Sequence, residues 1–111
     1  MITSQRLCPS WQPTNGSQVY GFMQFLNFCS EQKDSLLYLE LSNGLGETAL
    51  LASRVHSVES VTSVAPMGKE KQDISSRRTR ACENLEIINK DYNYIKDLPD
   101  NFDVTYIGVC L

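Results

Sequence analysis

The chain has 111 residues, 41% of them apolar and 21% charged, with a formal net charge of −3. That length holds one domain at most, and the composition is too apolar for a disordered chain. No run nears the roughly 18–20 apolar residues of a membrane span, the start lacks the basic-then-apolar layout of a signal peptide, and a negative net charge gives no general pull toward nucleic acid, so a cytoplasmic protein without membrane or nucleic-acid partners is expected.

Residues 1–16, with Pro9, Pro13, Asn15 and Gly16, lack periodicity and read as an irregular arm ahead of a domain over 17–111. Ser17 is placed to cap a helix in which Val19, Phe22, Met23 and Leu26 recur at i, i+3, i+4 and i+7, ending near Gln32. The continuous run Leu36-Leu37-Tyr38-Leu39-Glu40-Leu41 suits a strand covered on both faces, as in a parallel sheet. After the turn Ser42-Asn43-Gly44-Leu45-Gly46, the residues Leu45, Thr48, Ala49 and Ala52 mark one face of a short helix. A second strand is expected over 55–61, with Glu59 near its end. A polar helix follows over 69–85, with Ile74, Arg78, Ala81, Cys82 and Leu85 on one face. Ile87-Ile88 suggests a brief strand, Tyr92, Ile95 and Leu98 a short helix stopped by Pro99, and 102–109 the last strand. Strands alternating with helices imply βαβ units, so the fold class is α/β: a Rossmann-like parallel sheet of about four strands with helices on both faces.

The informative stretch is Glu40-Leu41-Ser42-Asn43-Gly44-Leu45-Gly46. In open α/β sheets ligands bind beyond the carboxyl ends of the strands, and glycines there let backbone N–H groups approach a ligand. A glutamate ending an apolar strand is costly without partners, so Glu40 needs hydrogen-bond donors or a cation beside it. Glu59, at the end of the next expected strand, is placed to accept from the two hydroxyls of a ribose, or else to be a solvated strand terminus. Asp91 has the corresponding place one unit on, as an adenine contact or as the cap of the helix from Tyr92. The cysteines Cys8, Cys29, Cys82 and Cys110 form no C-x-x-C pair, and the single histidine completes no zinc set by spacing, so free thiols and no metal are expected. His56 lies on the second strand away from its carboxyl end and is expected to be structural.

Together these residues resemble the class I S-adenosylmethionine-dependent methyltransferase family. Its first motif, E-x-G-x-G-x-G, stands here as Glu40-Leu41-Ser42-Asn43-Gly44-Leu45-Gly46, with Ser42 in place of the first glycine. Val58-Glu59 resembles the second motif, Asn89-Lys90-Asp91-Tyr92 the third, and 98–107 the approach to the fourth strand. The resemblance covers about 18–109 and implies the cofactor-binding, N-terminal half of that domain. It implies S-adenosylmethionine as cofactor, with Glu40, Ser42, Gly44 and Gly46 at its methionine end, Glu59 at the ribose and Asp91 at the adenine. Many small-molecule members end the fourth strand in an aspartate; here that place is Gly108. A complete family domain continues with a fifth parallel strand and a hairpin that carry much of the substrate pocket, which leaves the methyl acceptor and the catalytic residues unassigned.

Other readings are weaker. Gly44-Leu45-Gly46-Glu47-Thr48-Ala49 fits a dinucleotide fingerprint, but that pattern wants its ribose acid about 20 residues on, and Glu59 comes sooner. Gly-Lys-[Ser/Thr] is absent, which excludes a P-loop. Arg77, Arg78 and Arg80 share a helix with Glu70, Asp73 and Glu83 and read as a solvated face. Tyr20, Phe22, Phe25 and Phe28 read as core or interface. The competing function is non-catalytic: a degenerate methyltransferase fold used as a structural or assembly subunit of a larger, for example viral, complex. In that role the last strand is a sheet edge that pairs with another chain or with a second copy.

Overall fold

The computed structural model describes residues 2–3, 16–42 and 46–108. In chain order its elements are β1 (Ile2–Thr3), α1 (Gly16–Gln32), β2 (Leu36–Leu41), α2 (Glu47–Ser53), β3 (Val58–Val64), α3 (Lys69–Thr79), β4 (Leu85–Ile88), a 3-10 helix (Tyr92–Asp97) and β5 (Val104–Ile107). The strands form one sheet in the order β1-β5-β2-β3-β4, every pairing parallel. The α/β expectation therefore holds, with one strand more than counted from the sequence. The extra strand comes from the arm expected to be irregular: Ile2 and Thr3 pair with Val104 and Thr105. Two residues carry too little pattern to be read as a strand.

Alternation along β2 divides the core. Leu36 and Tyr38 face α1 and α2, packing with Phe22, Leu26 and Cys29 of the first helix and Ala49 and Ala52 of the second. Those three α1 residues recur at i, i+4 and i+7, the spacing that builds a helix's buried stripe. Leu39 and Leu41 face the other way, joining Val64, Tyr92, Leu98 and Phe102 around the 3-10 segment. Both faces of β2 are covered, which is why its sequence is a continuous apolar run. At its start the Asp103 carboxylate accepts from the Leu37 N–H at 2.8 Å and from Lys33 Nζ at 2.8 Å, which holds the carboxyl below its usual range.

Three expected boundaries move. The strand expected over 55–61 runs Val58–Val64. Val55 instead closes α2, its N–H donating to the Ala52 carbonyl at 3.1 Å, and Val58 donates to the Val55 carbonyl at 3.0 Å. The helix expected to reach residue 85 stops at Thr79, where the Cys82 N–H bonds back to the Thr79 carbonyl at 2.9 Å. This frees Leu85 to open β4. The last strand is shorter than expected, with Gly108 just past its end. Pro99 does close the short helix, which ends at Asp97.

No helix among the described residues is long and apolar enough to cross a membrane. Cys29 and Cys82 are free thiols, and no cluster of metal-ligating side chains occurs among the described residues; Cys8 and Cys110 lie outside them.

Candidate functional site

From β2 the chain passes to β3 on one side, while β5 lies on the other. The carboxyl end of β2 is thus the point where strand order reverses, the place where open α/β sheets bind ligands. Glu40 sits there with no exposed surface. Its neighbours in register are Ser63 on β3 and Tyr106 on β5. Tyr38 donates its phenol to Oε1 at 3.0 Å and Ser63 its hydroxyl to Oε2 at 3.4 Å. Ser63 and Ser42 share a further hydroxyl contact at 3.1 Å. The expectation that Glu40 needs donors is met by hydroxyls. Burial pushes its carboxyl pKa up, and the hydroxyls of Thr48, Tyr38, Ser42 and Ser63 oppose that shift.

Gly46 has φ +80° and caps α2, its carbonyl accepting from the Leu50 N–H at 2.9 Å. Left-handed backbone of this kind suits glycine. Gly44, assigned to the same turn, lies outside the described residues.

Glu59 does not join this site. With β3 shifted to Val58–Val64, Glu59 stands near the amino end of its strand, exposed, at a bulge where Leu36 and Leu37 pair with Val58 and Ser60. Ser63 marks the level of Glu40, so Glu59 is about 13 Å back along the strand at ~3.3 Å per residue. The residues that do leave the carboxyl end of β3 are Ala65, buried, and Pro66, exposed, and neither is acidic. Asp91 lies on the correct rim, after β4, and is exposed. Its carboxylate accepts from the Asn93 N–H at 2.9 Å, so it caps the 3-10 helix as the simpler reading had it.

Two neighbours of the site, Asn89 and Ser75, take roles that the sequence does not assign them. Asn89, at the end of β4, accepts from the Met67 N–H at 2.7 Å and ties the loops after β3 and β4 together. A cleft of about 170 Å³ opens beside it, lined by Met67, Gln72, Ser75, Thr79 and Ile87 among others. Ser75 is buried there with its hydroxyl unpartnered. Pockets for drug-sized ligands run about 300–1,000 Å³, so this cleft alone is too small for an adenosyl cofactor. His56 is exposed in the turn before β3, at the far end of the sheet. The arginines of α3 are exposed as expected, with Arg78 paired to Glu47 at 3.3 Å.

No family model and no curated protein matches the sequence. Solved structures do match. A protein-L-isoaspartate O-methyltransferase superposes with TM-score 0.64 at 24% identity, over 88% of this chain and 29% of its own. The chain has a class I methyltransferase-like fold. A dimethyladenosine transferase from Plasmodium falciparum aligns with TM-score 0.55 at 20% identity, over 81% of this chain and 32% of that one. A coclaurine N-methyltransferase bound to N-methylheliamine and SAH aligns with TM-score 0.55 at 16% identity, over 87% and 30%. The chain spans under a third of the length of each of these three.

Glycine at position 108 has a packing cause. Its N–H donates to the Leu41 carbonyl at 2.9 Å, and a Cβ there would lie 2.9 Å from Cε2 of Tyr106. That ring is buried and packs edge-on against Phe22, with centroids 4.9 Å apart, so it has little room to yield. Gly108→Asp is expected to lower stability by about 1–3 kcal/mol, as overpacking does. Urea unfolding measures this; an unchanged midpoint would show that the Tyr106 ring moves freely.

Proposed function

We propose that this chain is the cofactor-binding part of a methyltransferase-like domain and holds S-adenosylmethionine, or its product S-adenosylhomocysteine, at the turn between β2 and α2. The observation that carries this reading is Glu40, a fully buried carboxylate at the strand-order reversal, just before a turn that ends in a left-handed glycine. When ionised, Glu40 favours the ammonium that both ligands carry, and the sulfonium of S-adenosylmethionine, over a neutral ligand. Ser42 and Gly46 complete that end, Gly44 takes the role its motif position implies, and Asp91 stands toward the adenine. A neighbour of the same fold is bound to SAH, which supports the choice of ligand. Once bound, the sulfonium supplies an already activated methyl group. The protein's task is then to hold donor and acceptor in contact.

The ribose end fits less well, because Glu59 is far from the rim. Losing a charge-assisted hydrogen bond costs about 1.5–3 kcal/mol, roughly 10- to 100-fold in affinity. Titration calorimetry of the chain with S-adenosylhomocysteine is therefore expected to show saturable but weak binding. Glu59→Ala is expected to bind identically. No saturable heat at several-millimolar ligand would sink the reading.

The missing rim acid and the closed position at Gly108 favour one alternative, a fold of this type kept for assembly. In that reading a strand from another chain joins the sheet at the β1 side, where β1 pairs with Val104 and Thr105 of β5. A silent titration favours it.

A further inference from the structure

Glu40 has no exposed surface, and its hydrogen-bond partners among the described residues are hydroxyls. Tyr38 reaches it along its own strand, Ser63 from β3 and Thr48 from α2. Hydroxyls suit either state of the carboxyl, since each can donate to a carboxylate or accept from a carboxylic acid. A carboxyl buried without a paired charge takes up a proton in preference to standing ionised. The other ionisable groups facing this shell are the phenol of Tyr106, in register with Glu40 on β5, and that of Tyr38, against which the Cys29 thiol of α1 packs. Burial pushes all three up, and the Glu40 carboxyl pushes the two phenols further, so they stay neutral at weakly acidic and neutral pH. Among the described residues of this shell, only Glu40 is left to titrate there.

We propose that Glu40 exchanges a proton for the ligand: it is a carboxylic acid while the chain is ligand-free at weakly acidic pH, and it ionises when the ammonium of S-adenosylmethionine or S-adenosylhomocysteine arrives. The O–H bond of the acid breaks and its proton goes to solvent. The carboxylate left behind is balanced by the ligand's ammonium, so the buried charge appears only when its partner does. Screening is weak in the protein interior, and the two groups need not touch for the attraction to act. Coupling of this kind is reciprocal: ligand lowers the affinity of Glu40 for its proton, and protons lower the affinity of the chain for ligand by the same factor. Occupancy then rises with pH. The exchange rests on the cofactor reading above.

Carbon-13 placed at the glutamate carboxyls of the full chain reads the ionisation directly, and the resonance lost in Glu40→Gln identifies Glu40. Without ligand, its midpoint is expected above the ordinary glutamate range. Saturating S-adenosylhomocysteine is expected to lower that midpoint by about one pH unit, with Kd falling about 10-fold between pH 5 and 7, where an α-amino group stays charged. An ordinary midpoint in the ligand-free chain overturns the proposal. Amide chemical shifts report binding independently. Binding that leaves the Glu40 midpoint unmoved overturns the exchange alone, whereas no binding at any pH in that range sinks the cofactor reading and the exchange with it.

Discussion

Glu40→Gln is expected to weaken S-adenosylhomocysteine binding at least ~10-fold while leaving the fold as stable as the wild type or more so at neutral pH. The substitution preserves shape and one acceptor oxygen, so the phenol of Tyr38 keeps a partner; what disappears is the charge. Glu40→Ala removes both and leaves the buried phenol of Tyr38 without its acceptor, while Ser63 keeps its contact with Ser42. It should cost about 1–3 kcal/mol of stability as well as binding. The two variants separate charge from packing.

The pH dependence of the same pair has a definite sign. Burial raises the folded-state pKa of Glu40 above its unfolded value. Between those two values the folded chain holds more protons than the unfolded one, and stability falls as pH rises. Below the ordinary glutamate range both states are protonated and the penalty is absent. The stability advantage of Glu40→Gln over wild type should therefore be small near pH 4 and grow as pH climbs into the neutral range. Urea midpoints of the two proteins across that span measure it, since every other titrating group cancels in the difference. A pH-independent difference would mean that Glu40 ionises in the fold as freely as in water.

Much of this architecture was legible where burial is uniform. β2 lies between two covered faces and shows an unbroken apolar run; α1 buries one stripe and shows one period; Pro99 ends a short helix as its chemistry demands. β3 was misplaced by three residues for an instructive reason. Its second half, Val61-Thr62-Ser63-Val64, carries hydroxyls in positions that pattern reasoning expects to be apolar, and Ser63 is buried because it serves Glu40. The hydroxyls that make the site also hid the strand that carries them. Val55, Val58 and Val61 then read as one strand, and Glu59 fell at the wrong end of it. The bulge beside Glu59 breaks alternation further. α3 was overextended because Ala81, Cys82 and Leu85 continue a helical period past the point where Cys82 turns back on Thr79. The hydrogen bond from the Tyr92 phenol to the Ser42 carbonyl joins residues far apart in sequence, and no local pattern reports it.

Gly46 tests whether the turn's shape, apart from its charge, is required. Gly46→Ala is expected to destabilise the chain by about 1–2 kcal/mol, the cost of left-handed backbone for a residue with a side chain. Crowding adds to this, because the new Cβ would lie 3.2 Å from Cγ2 of Thr79 on α3. If the residue instead escapes to negative φ, its carbonyl swings off the Leu50 N–H and α2 loses its first hydrogen bond. Either route disturbs the turn that carries Ser42 and Gly44, so ligand affinity should fall along with stability. The two costs can be separated by adding Thr79→Ser, which deletes the crowding methyl and keeps the hydroxyl that donates to the Ser75 carbonyl at 2.8 Å. The double variant should recover only the smaller, steric share, and the urea midpoint should remain well below wild type. Full recovery would show that α3 packing rather than backbone handedness demands glycine at this position, and the turn would then tolerate side chains that its conformation now forbids.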